Sequence, residues 1–207
     1  MHSAMEPRGA ATARAEFEKP TTLNAPLFKG VIEKLDPERR LIVLDLGPAQ
    51  TQTIALFGHF RCRMDIADVA EDFDVLNVDP DPATLKERAQ VVLPPPQDEP
   101  IDLVLCWDLL NYLEPPALVA LTSAIAERAR PGAFMHALIA YSESSMPVVP
   151  GRYVPLEDHR LHNLAPTLEE RPARRYTPDD LKRHLPKCKI ERAMLLANGM
   201  QEFLFRL

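Results

Sequence analysis

Asp45 and Gly47 are the first residues whose types and spacing point to chemistry. They close the apolar run Leu41-Ile42-Val43-Leu44, and the pattern then breaks into Pro48-Ala49-Gln50. A continuous apolar run ending at a turn signal predicts a buried parallel strand. A strand, a tight turn at glycine and a helix start, here Thr51-Gln52-Thr53-Ile54, form the corner at which doubly wound α/β folds bind nucleotides. A second apolar run, Ile101 to Cys106, delivers Trp107 and Asp108 to its C-terminal end. A lone Trp there suits a pocket wall or a core anchor, and Cys106 suits a small buried residue.

Other chemistries lack their residues. The chain has no Gly-x-Gly-x-x-Gly for a nicotinamide, no Gly-Lys-Ser/Thr for a P-loop and no Gly-x-Ser-x-Gly nucleophile elbow. No His and Cys stand at metal-ligand spacing, so no metal is expected. His136 falls in mid-strand, as a satisfied core histidine does. His159 and His162 fall in a long Pro-interrupted stretch, 141–175, where a loop overhanging a pocket would carry them.

The elements that must position these residues alternate in type. Leu27, Phe28, Val31, Ile32 and Leu35 recur at helical spacing and predict a helix before the first strand. Strands are predicted at 41–46, at 62–67, where Cys62, Met64 and Ile66 alternate, at 90–93, at 101–106 and at 133–140. Helices are predicted at 51–59, 82–89 and 117–130, the last opened by Pro115-Pro116. Thr177-Pro178-Asp179-Asp180 has the cap, proline and acids of a helix start. Lys189–Leu196 and Met200–Leu207 flank Asn198-Gly199, a hairpin signal.

Size and charge narrow the class. The 207 residues suit one domain, 21–207, behind a loose N-terminus, 1–20. No membrane span or secretion signal is visible, and three scattered cysteines fit a reduced, cytoplasmic setting. The net charge of −6 is uneven: residues 41–130 hold 15 acids and 6 bases, whereas 151–207 hold 11 bases and 8 acids. An acidic central region argues against a nucleic-acid surface.

With these elements in order, the chain resembles the class I S-adenosylmethionine-dependent methyltransferases, with a divergent glycine loop. Three segments carry the resemblance: Val43-Leu44-Asp45-Leu46-Gly47, Asp102-Leu103-Val104-Leu105 followed by Leu109 to Leu113, and Arg130-Pro131-Gly132-Ala133. It covers about 40–207. It implies a Rossmann-like, doubly wound, mostly parallel seven-stranded sheet with a C-terminal antiparallel hairpin, and S-adenosylmethionine as cofactor. Cofactor contacts would fall on Asp45, Gly47, Pro48, Ala49, Asp68, Cys106, Trp107 and Asp108. Asp68 stands 23 residues beyond Asp45, near the roughly 20 of the ribose-binding acid; Asp65, at 20, falls inside its strand. Asn111, Tyr112, Tyr153 and His159 would face the substrate, with 141–175 as a lid or insertion. The family reads Gly-x-Gly-x-Gly where this chain has Gly47-Pro48-Ala49-Gln50-Thr51, which places Cβ atoms where the ligand approaches.

Two functions of different class follow. One is a methyltransferase acting on a small-molecule acceptor, with no residue declaring itself the base. The other is a methyltransferase-like scaffold that binds or assembles without catalysis. A homodimer through the lid or the N-terminal helix is compatible with either.

Overall fold

A computed structural model describes residues 21–78, 81–164, 167 and 169–207 of the chain. The loose N-terminus expected at 1–20 lies outside the described residues. Thr21–Leu23 forms strand β1 and Pro26–Ile32 forms helix α1. Pro26 stands in the first turn, where its missing N–H is not needed. Ala25 before it supplies no side-chain cap. The amides of Leu27 and Phe28 instead donate to the carboxylate of Glu202, at 2.9 and 2.7 Å. The face of α1 read from the spacing, Leu27, Phe28, Val31 and Ile32, is buried.

The central elements then alternate. They are β2 (Leu41–Asp45), α2 (Thr51–Phe57), β3 (Cys62–Ile66), α3 (Val69–Asn77), α4 (Pro82–Val91) and β4 (Ile101–Leu105). A short 3-10 turn, Leu109–Tyr112, precedes α5 (Pro115–Arg128) and β5 (Ala129–Ala140). The stretch expected as a lid holds four short strands: β6 (Ser145–Pro147), β7 (Arg152–Pro155), β8 (Leu161–Leu164) and β9 (Glu170–Pro172). The chain ends with α6 (Pro178–His184), β10 (Lys189–Leu195) and β11 (Met200–Arg206). In α6 the Thr177 hydroxyl accepts from the Asp180 amide while the Asp180 carboxylate accepts from the Thr177 amide, a complete capping box.

Among the described residues the large sheet has six strands, in the order β10-β11-β5-β4-β2-β3. β3, β2, β4 and β5 run parallel, and β11 runs antiparallel to both β5 and β10. The seventh strand expected at Gln90–Leu93 is not one. Asp81 caps α4 by accepting from the Thr84 amide at 2.9 Å, and the helix carries through Val91 before three prolines follow. β3 is therefore an edge. Its residues are all half-buried, and Arg63 pairs with Asp65 and Glu99 along it, a charged border that discourages further pairing.

Two layers cover the sheet. On one face α3 to α6 pack with Ile42, Leu44, Val104 and Met135. On the other, α1 and Phe57 of α2 pack with Val43, Leu103 and Leu138. A second sheet, β1-β8-β7, joins this latter face through Leu23, Tyr153 and Leu161.

Glu202 fixes α1 to that face. It is fully buried in β11, and its carboxylate also meets His136 Nε2 of β5 at 2.9 Å. Glu202→Ala strands two amides and an imidazole nitrogen in the core. We expect it to lose about 3–5 kcal/mol of stability in urea unfolding, the range for breaking a buried hydrogen-bonded pair, whereas Glu202→Gln, which keeps an acceptor for α1, loses less.

Candidate functional site

The chain passes from β2 through α2 to β3 on one side and returns to β4 on the other side of β2. The switch point of the sheet thus lies between the C-terminal ends of β2 and β4, where open α/β sheets bind ligands. Backbone bonds tie these ends together: Leu46 N–H donates to the Leu105 carbonyl at 3.0 Å, Ala67 N–H to Asp45 at 2.8 Å and Val69 N–H to Leu46 at 3.0 Å.

Asp45 ends β2 at 1% exposure. One of its oxygens accepts from Gly47 N–H at 2.9 Å and from Trp107 Nε1–H at 2.6 Å. Burial pushes its pKa up to about 7; the two hydrogen bonds oppose this, and Asp68 nearby adds to it. Trp107 follows β4 with φ of 50°, a left-handed backbone that residues other than glycine seldom adopt. Its indole lies against Gly47. A Cβ at Gly47 would stand 2.8 Å from indole Cδ1 and 2.9 Å from Nε1, closer than side chains tolerate. Tyr153 of β7 stacks on the indole, with ring centroids 5.9 Å apart and planes at 12°.

Asp108, next in the chain, is also buried. Both its oxygens accept from Gly151 N–H at 3.0 Å, and the Tyr153 hydroxyl donates to one at 3.4 Å. Burial pushes its pKa up to about 6 against these bonds. Asp68 follows β3 with φ of 43° and caps no amide of α3 with its side chain. Beside it lies a cavity of about 300 Å³, lined by Pro48, Asp68, Phe73, Asp74, Val149, Pro150 and Arg152. This is at the lower end of the range for small-molecule sites.

The structure sorts the residues singled out from sequence. It gathers Asp45, Gly47, Pro48, Asp68, Trp107, Asp108 and Tyr153 at one edge. Asp65 is engaged with Arg63 at 3.2 Å, whereas Asp68 lines the cavity together with Asp74. Ala49 and Thr51 are exposed and do not fill the cleft; the indole of Trp107 lies over the glycine instead.

Four residues stand elsewhere. Cys106 points into the opposite core, and burial holds its thiol well above the usual range. Asn111 spends its amide on structure: Nδ2 donates to the Asp108 and Leu138 carbonyls, and Oδ1 accepts from Ala140 N–H. Tyr112 stands behind the cavity wall, donating to the Val149 carbonyl at 2.8 Å and packing on Phe73. His159 lines a different cavity, with Gln52, His59 and Glu157.

Sequence reasoning missed Phe73, Val149, Pro150 and Gly151. Pro150-Gly151 is a turn signal, but nothing in it names Asp108 as its partner. Among the described residues no group of three or more His, Cys, Asp or Glu could hold a metal ion. No helix among them is long and apolar enough to cross a membrane.

No family model and no curated protein matches the sequence. Solved structures do. The chain is similar in structure to S-adenosylmethionine-dependent methyltransferases. One is the 1,6-didemethyltoxoflavin-N1-methyltransferase of Burkholderia thailandensis with bound 1,6-didemethyltoxoflavin and S-adenosylhomocysteine, at 17% identity and a TM-score of 0.48, over 88% of this chain and 75% of that one. Another is an S-adenosylmethionine-dependent methyltransferase from Clostridium acetobutylicum ATCC 824, at 14% identity and a TM-score of 0.48, over 89% and 92%. The pyocyanin biosynthetic protein PhzM is similar at 14% identity and a TM-score of 0.48, over 86% of this chain and 53% of PhzM, so the chain spans about half of PhzM's length.

The raised pKa of Asp45 makes stability depend on pH. An unfolded Asp ionises near pH 4, whereas folded Asp45 holds its proton to about 7. The folded state therefore loses stability as pH rises from about 4 to 7 and levels off above, by on the order of 4 kcal/mol for this shift. Asp45→Asn keeps an acceptor for Gly47 and Trp107 but cannot ionise. Its melting temperature relative to the wild type should climb between pH 5 and pH 8, and a difference that stays flat would show that burial does not govern Asp45.

Proposed function

We propose that the chain is an S-adenosylmethionine-dependent methyltransferase acting on a small-molecule acceptor. One observation carries this: Pro48 after β2 and Asp68 after β3 line a cavity beyond the strand ends at which Asp45 meets Gly47 and Trp107. The residues present fit the nucleoside half of the cofactor. Asp68 offers a carboxylate for ribose hydroxyls, and Phe73, Val149 and Pro150 offer an apolar wall for a base. When bound, the cofactor supplies a methyl group on a good leaving group. The chain would orient the acceptor and exclude water through the β7–β8 hairpin. Burial holds the Asp45 and Asp108 carboxyls above the ordinary carboxylate range, and neither lines the cavity. The acidic central region favours a small acceptor over nucleic acid.

The Trp107–Tyr153 stack over Gly47 favours a second reading, a scaffold that binds without catalysis. Calorimetry on the full chain separates binding from none. S-Adenosylhomocysteine should bind with a dissociation constant of micromolar to sub-millimolar order, and Asp68→Ala should weaken it about tenfold or more, some 1.4 kcal/mol. Absence of heat with both adenosine and S-adenosylhomocysteine at millimolar concentration would end the cofactor proposal. Binding without methyl transfer to any acceptor would favour the scaffold.

A further inference from the structure

Pro48 lines the cavity at Asp68, and Gly47 directly precedes it at the end of β2, on the side of β4. The space over Gly47 is filled by the chain itself. The indole of Trp107 rests on Gly47, Tyr153 stacks on its outer face and Phe28 packs at 5.9 Å. The indole is 3% exposed and hydrogen-bonded to Asp45.

Further contacts hold this arrangement. The Trp107 carbonyl accepts from Leu138 N–H at 2.7 Å, against a left-handed backbone that a residue other than glycine seldom adopts. Asp108 ties down the hairpin that carries Tyr153, through Gly151 N–H and the tyrosine hydroxyl. The fit at Gly151 is tight. A Cβ there would meet Asn163 Oδ1 and the Tyr153 ring at 2.8 Å and Asp108 Oδ2 at 3.1 Å. The cavity left open, about 300 Å³, has room for a nucleoside.

We infer that the Trp107–Tyr153 stack is a built-in plug standing where a tail on the nucleoside's 5′ side would run, so that this arrangement selects a nucleoside without a charged amino-acid tail, such as adenosine or 5′-methylthioadenosine. A tailed nucleoside binds only by displacing the indole from Gly47. The inference rests on the nucleoside-binding edge proposed above and concerns what that edge admits.

Trp107 is the only tryptophan, so its fluorescence reports the plug directly. In the full chain, saturating adenosine should leave the emission maximum and acrylamide quenching unchanged. Saturating S-adenosylhomocysteine should shift the emission to the red and increase quenching. By calorimetry, adenosine should bind the wild type more tightly than S-adenosylhomocysteine, so the ratio of S-adenosylhomocysteine to adenosine affinity should lie below one. It should rise about tenfold, some 1.4 kcal/mol, in Trp107→Ala. Gly151→Ala, which pries the hairpin from Asp108 and leaves Trp107 in place, should raise it in the same direction and keeps the test open if Trp107→Ala does not fold. Wild-type chain that binds S-adenosylhomocysteine a hundredfold tighter than adenosine, with no change in Trp107 emission, would overturn the plug and leave the nucleoside edge intact. Failure of both ligands to bind wild type and variants alike would overturn the edge itself.

Discussion

The Asp45 carboxylate is buried beside two N–H donors, and the ligand edge takes its form from where those donors must be. Gly47 can supply one because its backbone turns directly beneath the acid. Trp107 supplies the other only if its indole lies flat over that turn, which only a residue without a Cβ permits. With the indole there, Tyr153 has a face to stack on, and the hairpin that carries it reaches Asp108. The closure of the edge is a chain of contacts starting at one carboxylate. Two hydrogen bonds do not offset its loss of hydration, so it resists ionisation although it accepts twice.

Much of this was legible in the residues, and the parts that were not have physical causes. The buried strands Leu41–Asp45 and Ile101–Leu105 announce themselves as apolar runs, and helix α5 as a proline start followed by a periodic face. Val91-Val92-Leu93 has strand composition, but the cap at Asp81 and Pro82 starts a helix whose last turn consumes Val91, because helix propagation is cheap once nucleated. Helix α3 is hidden by Asp72 and Asp74, which interrupt its apolar spacing. At the site, the spacing that links Asp45 to Asp68 is visible in one dimension. The direction of Trp107 is not, since a positive φ in a residue other than glycine is imposed by partners distant in sequence. Asn111 looks like a pocket amide by type, yet three backbone groups already satisfy it.

The missing seventh strand bears on the site as well. With β3 at the border, the loop after it is braced by no further strand, and Asp68 takes its left-handed backbone between the edge strand and α3. Asp is among the residues that accept this conformation with least penalty. The wall facing Asp68 is supplied from the other side, by Val149 and Pro150, and Tyr112 secures Val149 through its carbonyl. Two of the seven lining residues, Val149 and Pro150, thus come from the segment between β6 and β7 rather than from the sheet.

Asp45 and Trp107 are thermodynamically linked. Lifting the indole from Gly47 removes one donor from the carboxylate and admits water to it. Hydration lowers a carboxyl pKa that burial has raised. The arrangement with the indole in place therefore binds a proton more tightly than one with the indole displaced, and by linkage a falling pH favours it. Burial raises the pKa of Asp108 too, while the hydrogen bonds that it accepts from Gly151 and Tyr153 of the hairpin oppose the rise. Two acids on neighbouring strand ends are thus held above the ordinary carboxylate range by burial, each against the hydrogen bonds that it accepts.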